Sequence, residues 1–351
     1  MPTVLIGRDA QVDTLLDTLA NDLASLGVDV LRGPPAANGH ALVYDADRDG
    51  LLFAQADVAV FPSRHSLPRA LMTRAPRLHG IVSPTIGLDG VDLPAAKALG
   101  IIVGHGAVPE NIVSMAEATV MLILMLRYQP LRSRAVLQGT LPRPASTANA
   151  RWARMAQGCT IGLAGFGRIG QAVAERLRGF GCTLLVADHP SLDRAAASRL
   201  DAKVLPWPAV LAHSDILSLH ANVSPGGGTL LDARALALMK PGACLVNTAR
   251  GQLVDEAALH AALREGRLAG AALDTFAIEP LPADSPLRQL DNVFLTPHLV
   301  GQTRDMYAAL QTACLENVTR ILAGNLPLHC KNPEAEPAWR ARLAARPPAD
   351  A

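Results

Sequence analysis

An arginine, a glutamate and a histidine each follow an apolar run in the second half of this chain. Arg250 closes Val246-Asn-Thr-Ala-Arg250, Glu279 closes Ala272-Leu-Asp274-Thr-Phe-Ala-Ile-Glu279 and is followed by Pro280, and His298 opens His298-Leu-Val-Gly301, at intervals of 29 and 19 residues. Such a set can move protons on a small acid. A histidine exchanges protons near neutral pH. A carboxylate beside it stabilises the imidazolium and orients the ring. A guanidinium grips a substrate carboxylate with paired hydrogen bonds and polarises an adjacent oxygen. Singly, each residue has a plain structural alternative: a surface cation, a turn, a capping histidine. Their order and shared context, each just past a strand-like run, favour the chemical reading.

A second constellation lies upstream. Gly165, Gly167 and Gly170 form G-x-G-x-x-G after the apolar run Thr160–Ala164, and Asp188 ends the next apolar run eighteen residues after Gly170. The first glycine permits a tight strand-to-helix turn, the second lets backbone approach a pyrophosphate, and the third lets helix and strand pack closely. The helix N-terminus then holds the phosphates. Asp188 would accept the adenosine ribose hydroxyls and repel a 2′-phosphate, so the expected cofactor is NAD in preference to NADP.

Both constellations need strands that deliver them to one edge, and short apolar runs do alternate with helical patterns throughout. In the first part the strand candidates are Val4–Ile6, Ala41–Tyr44, Val58–Phe61, Leu78–Val82 and Ile101–Val103, with helical patterns at Gln11–Ser25, Arg69–Ala75 and Leu93–Leu99. A long helix is expected over Glu110–Tyr128, with Pro109 at its start, and then an exposed arm or linker over Gln129–Met155. Six further strands are expected: Thr160–Ala164, Thr183–Ala187, Asp215–Leu219, Ala243–Asn247, Gly270–Leu273 and Val293–Thr296. The fold class is therefore α/β, two doubly wound parallel-sheet domains of Rossmann-like or flavodoxin-like type, with the active-site cleft between them. The boundaries expected are 1–108 plus 304–331 for a substrate domain, 109–303 for the nucleotide domain and 332–351 for a flexible tail rich in Pro, Ala and Arg.

The bulk properties narrow the class further. Of 351 residues, 50% are hydrophobic and 18% charged, with a net charge of +1 and no basic block, which offers nothing to nucleic acid or a membrane surface. Five scattered cysteines without a C-x-x-C read as free thiols in a reducing compartment. The N-terminus meets charge at once and reads as a first strand rather than a signal peptide. The longest apolar run, Ala118–Leu126, is too short to span a bilayer. A cytoplasmic protein is expected. The histidines show no ligand spacing, so no metal is expected.

The glycine motif together with the three later segments closely resembles the NAD-dependent D-isomer-specific 2-hydroxyacid dehydrogenases, over nearly the whole chain to about residue 330. The resemblance implies that Arg250, Glu279 and His298 are catalytic, and that Asp274 hydrogen-bonds the nicotinamide carboxamide. It further implies that Thr248 and Ala249 line the cofactor, that Arg168 and Ile169 cover the pyrophosphate, and that Gly301 belongs with the cofactor contacts. In the loop Ser83-Pro-Thr-Ile86-Gly87, the backbone N–H groups of Ile86 and Gly87 would bind the substrate carboxylate, with Thr85 standing where the family commonly has glycine. A homodimer built on the nucleotide domain, with the long helix near the dyad, is also implied. One stretch departs from the family: His-x-Pro-Leu-Thr is replaced by His220-Ala-Asn222-Val-Ser224-Pro225 and Gly226-Gly227-Gly228. That substitution suggests a looser loop beside the adenosine half of the cofactor, with His220 structural. Arg64 could reach the far end of a substrate or be a solvated loop residue.

The activity expected is interconversion of a D-2-hydroxy acid and its 2-oxo acid by hydride transfer. Two alternatives share the fold: an NAD-sensing regulator of the corepressor type, and a phosphite oxidiser. Formate oxidation is disfavoured, because relatives that oxidise formate pair the histidine with Gln where this chain has Glu279.

Overall fold

The computed structural model describes residues 1–9, 12–35, 42–63, 65–144, 152–223 and 228–345. The chain divides into two compact units, Met1–Asn111 with Thr303–Ala351, and Ile112–Gln302.

In the first unit, β1 (Thr3–Ile6), β2 (Asp29–Arg32), β3 (Val58–Val60), β4 (Gly80–Ser83) and β5 (Ile102–His105) make one parallel sheet in the order β2-β1-β3-β4-β5. That is the flavodoxin-like winding. Period-two alternation divides its side chains between two cores: Val4, Ile6, Val58, Val60 and Val82 on one face, Leu5, Ala59, Phe61 and Ile81 on the other. Both faces are apolar because helices cover both. The helix Arg304–Leu322, capped by the Thr303 hydroxyl on the Met306 N–H at 3.2 Å, drives Met306, Leu310, Val318 and Ile321 into the first of these cores.

In the second unit, β6 (Thr160–Ala164), β7 (Thr183–Ala187), β8 (Lys203–Leu205), β9 (Ile216–Leu219), β10 (Cys244–Asn247), β11 (Gly270–Leu273) and β12 (Val293–Leu295) form a parallel sheet in the order β12-β11-β10-β9-β6-β7-β8. The order reverses between β6 and β9, the switch point at which a Rossmann sheet opens its ligand crevice. Along β11, Ala271 and Leu273 enter one core and Ala272 the other. Two parallel doubly wound α/β units are thus present, as the alternation of runs implies.

Several elements differ from the sequence reading. Ala41–Tyr44 is not a strand: Val43 makes only an isolated bridge to Ser66, and Ala41 lies outside the described residues. The strand in that part of the sheet is β2, at its edge, and the seventh strand of the other sheet, β8, is also an edge. Part of the stretch read as an arm is helical, Pro130–Leu137. In place of the flexible tail expected over 332–351, Glu336–Ala344 is a helix whose Trp339 is fully buried. Arg342 anchors that helix by donating to the carbonyls of Ala75 and Leu78 at 2.8 Å each and of Leu99 at 3.1 Å. Residues 346–351 lie outside the described residues. The helix Pro109–Tyr128 is long and apolar enough to cross a membrane by length and composition. One of its faces, with Ala116, Thr119, Leu122 and Ile123 fully buried, packs in the second unit.

Candidate active site

The glycine motif sits where β6 ends. Gly165 has φ +100°, a conformation that L side chains avoid, and a Cβ there would come within 2.5 Å of the His220 carbonyl. A Cβ on Gly170 would meet the Gly165 carbonyl oxygen at 2.5 Å, whereas one on Gly167 would meet nothing within 4 Å. Two glycines are therefore required by packing and the middle one opens onto space. The helix Arg168–Arg178 begins at Gly167 with no side-chain cap, and Gly170, Val173, Ala174 and Leu177 form its buried face. Its first-turn N–H groups have no acceptors within the helix, which makes them an anion cradle.

Asp188 follows β7, and its Oδ1 accepts from Arg194 Nη2 at 2.6 Å. Beside the cradle, His220 Nε2 lies 2.9 Å from the Ser218 hydroxyl, and burial pushes the imidazole down to about 4, so this ring is neutral at physiological pH. Ser224 to Gly227 lie outside the described residues.

Arg250, Glu279 and His298 emerge past the carboxyl ends of three adjacent parallel strands, β10, β11 and β12. His298 Nδ1 donates to Glu279 Oε2 at 2.8 Å. Glu279 Oε1 accepts the Phe276 N–H at 3.0 Å, so both carboxylate oxygens are fixed. The next amide, Ala277 N–H, donates to Glu256 Oε1 at 2.7 Å. The Glu279–Pro280 peptide is cis. Arg250 joins this loop through its neighbour, since a side chain on Gly251 would overlap the Phe276 carbonyl. Arg250 Nη1 donates to its neighbour's carbonyl, Ala249 O, at 2.7 Å.

His298 adopts a left-handed backbone, φ +58°, uncommon outside glycine. This turn aims the next two amides at one acceptor: Leu299 and Val300 N–H donate to Asp274 Oδ1 at 3.0 and 3.2 Å. Gln302 Nε2 donates to the His298 carbonyl at 3.1 Å. Asp274 is 1% exposed, and burial pushes its carboxyl up from the ordinary value. Gly301 lies against helix Pro109–Tyr128, where its carbonyl accepts from the Ser114 hydroxyl and a Cβ would overlap the Met115 sulfur. Thr248 Oγ1 lies 3.1 Å from Thr119 Oγ1 of the same helix.

One residue that positions the site was missed. Asn247, 1% exposed, accepts the Ala249 N–H with Oδ1 at 3.0 Å and donates Nδ2 to the Arg250 carbonyl at 2.9 Å. It clamps both ends of the turn that presents Arg250. The available signal was a lone amide closing an otherwise apolar strand.

In the first unit the loop after β4 is held by its carbonyls. Thr85 O accepts from Gly106 N–H at 3.0 Å, Ile86 O from His105 Nδ1 at 3.2 Å, and Gly87 O from the Ser83 hydroxyl at 2.9 Å. In a trans peptide the N–H points opposite the preceding carbonyl. Fixing Thr85 O and Ile86 O therefore fixes the directions of the Ile86 and Gly87 amides. Arg64 lies outside the described residues.

Residues 119–300, more than half the chain, match the family model for the D-isomer specific 2-hydroxyacid dehydrogenase, NAD binding domain. The chain belongs to this family. It is 38% identical over 281 residues to a D-3-phosphoglycerate dehydrogenase of Mycobacterium bovis, covering 79% of this chain and 52% of that protein. An (S)-sulfolactate dehydrogenase of Chromohalobacter salexigens is also 38% identical over 281 residues, covering 79% of this chain and 88% of the relative. Among solved structures, D-lactate dehydrogenase from Aquifex aeolicus, complexed with NAD and lactic acid, matches with TM-score 0.78 at 25% identity, covering 92% of this chain and 96% of that one. The chain spans about half the length of the D-3-phosphoglycerate dehydrogenases it matches.

The matched NAD binding domain, residues 119–300, lies within the second unit, and NAD is the cofactor that unit binds. The residues present fit it: an uncapped helix N-terminus, open space above Gly167, and a carboxylate at the end of the next strand.

Proposed function

We propose that this dehydrogenase interconverts a D-2-hydroxy acid and its 2-oxo acid, with Arg250, Glu279 and His298 as the catalytic residues. The observation that carries the reading is the bond from His298 Nδ1 to Glu279 at 2.8 Å. With Nδ1 committed, Nε2 is the nitrogen that exchanges a proton with the substrate oxygen. In oxidation His298 Nε2 takes the hydroxyl proton; in reduction it returns a proton to the carbonyl oxygen. Glu279 stabilises the imidazolium that exists between these events. Arg250 holds the substrate carboxylate and polarises the C2 oxygen. NAD, when bound, supplies the hydride acceptor or donor.

The remaining assignments belong to the same proposal. Arg168 and Ile169 cover the pyrophosphate, Asp188 takes the ribose, and Thr248, Ala249, Asp274 and Gly301 line the nicotinamide half. Ile86 and Gly87 offer their fixed amides to the substrate carboxylate. A cytoplasmic location accords with five free cysteines. A homodimer accords with helix Pro109–Tyr128: Val113, Met121 and Tyr128 are exposed along it, and Val120, Met121, Leu124, Met125 and Tyr128 line a groove of about 600 Å³ with Phe180. Sedimentation equilibrium tests the dimer.

The activity is tested by NADH oxidation with glyoxylate, hydroxypyruvate, pyruvate and phenylpyruvate. The 2-oxo forms of 3-phosphoglycerate and sulfolactate, acids named for two relatives, complete the panel. Turnover on at least one is expected. Tight NADH binding with no turnover on any of them would move the assignment to an NAD-sensing regulator.

A further inference from the structure

The acidic residue that ends β7 is not alone. Asp188 and Arg194 pair at 2.6 Å, with side chains 46% and 64% exposed, so both stand at the open end of the strand. The chain between them is a compact turn. Leu192 N–H donates to the His189 carbonyl at 2.9 Å, and His189 Nδ1 lies 2.8 Å from the Ser191 hydroxyl. Asp193 then caps the following helix, Arg194–Arg199, by accepting the Ala196 N–H at 2.9 Å. Arg194 is the first helical residue and is thereby returned to Asp188. The neighbouring carboxylate of Asp193 is engaged by the helix, which leaves Asp188 as the partner the guanidinium reaches.

An unpaired carboxylate at this position repels a ribose 2′-phosphate, whose charge approaches −2. Here a guanidinium already balances that carboxylate. Arginine has five N–H donors in a planar fork, so bonding one carboxylate oxygen leaves donors able to take phosphate oxygens. We propose that Arg194 is a specificity-determining residue of the adenosine-ribose site, and that its pairing with Asp188 admits a 2′-phosphorylated dinucleotide, NADP(H), alongside NAD(H). Asp188 serves the ribose hydroxyls of one cofactor and Arg194 the phosphate of the other. The inference rests on residues 165–188 being the dinucleotide site and is independent of which acid is the substrate.

Calorimetric titration of the full chain with NAD⁺, NADP⁺ and 2′,5′-ADP provides the test, since it requires no turnover. Wild type should bind NADP⁺ within about tenfold of NAD⁺. Arg194→Ala should weaken NADP⁺ and 2′,5′-ADP by about tenfold or more relative to NAD⁺, and Arg194→Lys should restore part of the loss. Thermal melts of each variant exclude misfolding as the cause, and the lysine variant answers the question if the alanine variant fails to fold. Wild-type binding of NADP⁺ more than about a hundredfold weaker than NAD⁺ would overturn the proposal. An NADP⁺-to-NAD⁺ ratio unmoved by Arg194→Ala would do the same. Absence of turnover on every 2-oxo acid, with this ratio responding to Arg194, would sink the proposed activity and leave the cofactor inference standing.

Discussion

Glu279 binds His298 Nδ1 with one carboxylate oxygen and the Phe276 amide with the other. The carboxylate is therefore held at both oxygens and fixes the orientation of the ring. Glu279→Gln keeps an oxygen to accept Nδ1–H but removes the charge that favours the imidazolium. Stabilising the imidazolium is the role proposed for Glu279, so kcat for reduction of a 2-oxo acid should fall about tenfold, or roughly 1.4 kcal/mol of barrier. Steady-state kcat in both directions, set beside NADH titration of the variant, checks this. An unchanged kcat would show that the carboxylate acts only as a tether.

Arg250→Ala should cost on the order of 3 to 5 kcal/mol of transition-state binding, because it removes a charged partner of the substrate carboxylate. Arg250→Lys should recover little of this, a point charge being unable to reproduce the fork. Steady-state kinetics set beside NADH titration separate the effects. Loss of kcat/KM with NADH affinity kept is the expected result, and activity within tenfold of wild type would remove Arg250 from the role.

Asn247→Asp replaces the Nδ2 donor by an acceptor facing the Arg250 carbonyl, while Oδ1 can still take the Ala249 amide. Losing a buried hydrogen bond in this way costs about 1 to 3 kcal/mol. Because the turn presents Arg250, substrate KM should rise more than overall stability falls. Denaturant unfolding and substrate saturation curves, measured on the same preparation, reveal the split.

Burial lowers the His220 imidazole from about 6.5 to about 4, so the unfolded chain binds the proton first on acidification. Its contribution to stability is present above pH 6.5 and is lost as pH falls through about 4. The loss is at most about 3 kcal/mol, reduced by screening on the partly open side of the ring. His220→Asn should flatten unfolding free energy against pH across that window. An unchanged slope would mean the ring titrates as though in water.

Much of the site was legible in the chain because its signals are local. The three glycines, the strand before them and the aspartate after them lie within about thirty residues. His298, Glu279 and Arg250 each announce themselves by following an apolar run. The edge strands were not legible: β2 begins at Asp29 and ends at Arg32, β8 begins at Lys203, and neither offers an apolar run. The terminal helix was hidden in composition typical of loops, and what orders it is the burial of Trp339 and the Arg342 contacts.

Residue types and spacing by themselves determined the alternation of strands and helices, the glycine turn after β6 and the candidate catalytic side chains, since backbone conformation and side-chain chemistry are properties of short segments. Only the tertiary structure decided that Glu279 and His298 touch, that Asn247 clamps the turn of Arg250, that Asp274 secures the amides after His298, and that Arg194 neutralises Asp188. Each of these depends on register between strands or on the path of a loop. Such register is set by the packing of whole sheets, which no single segment encodes.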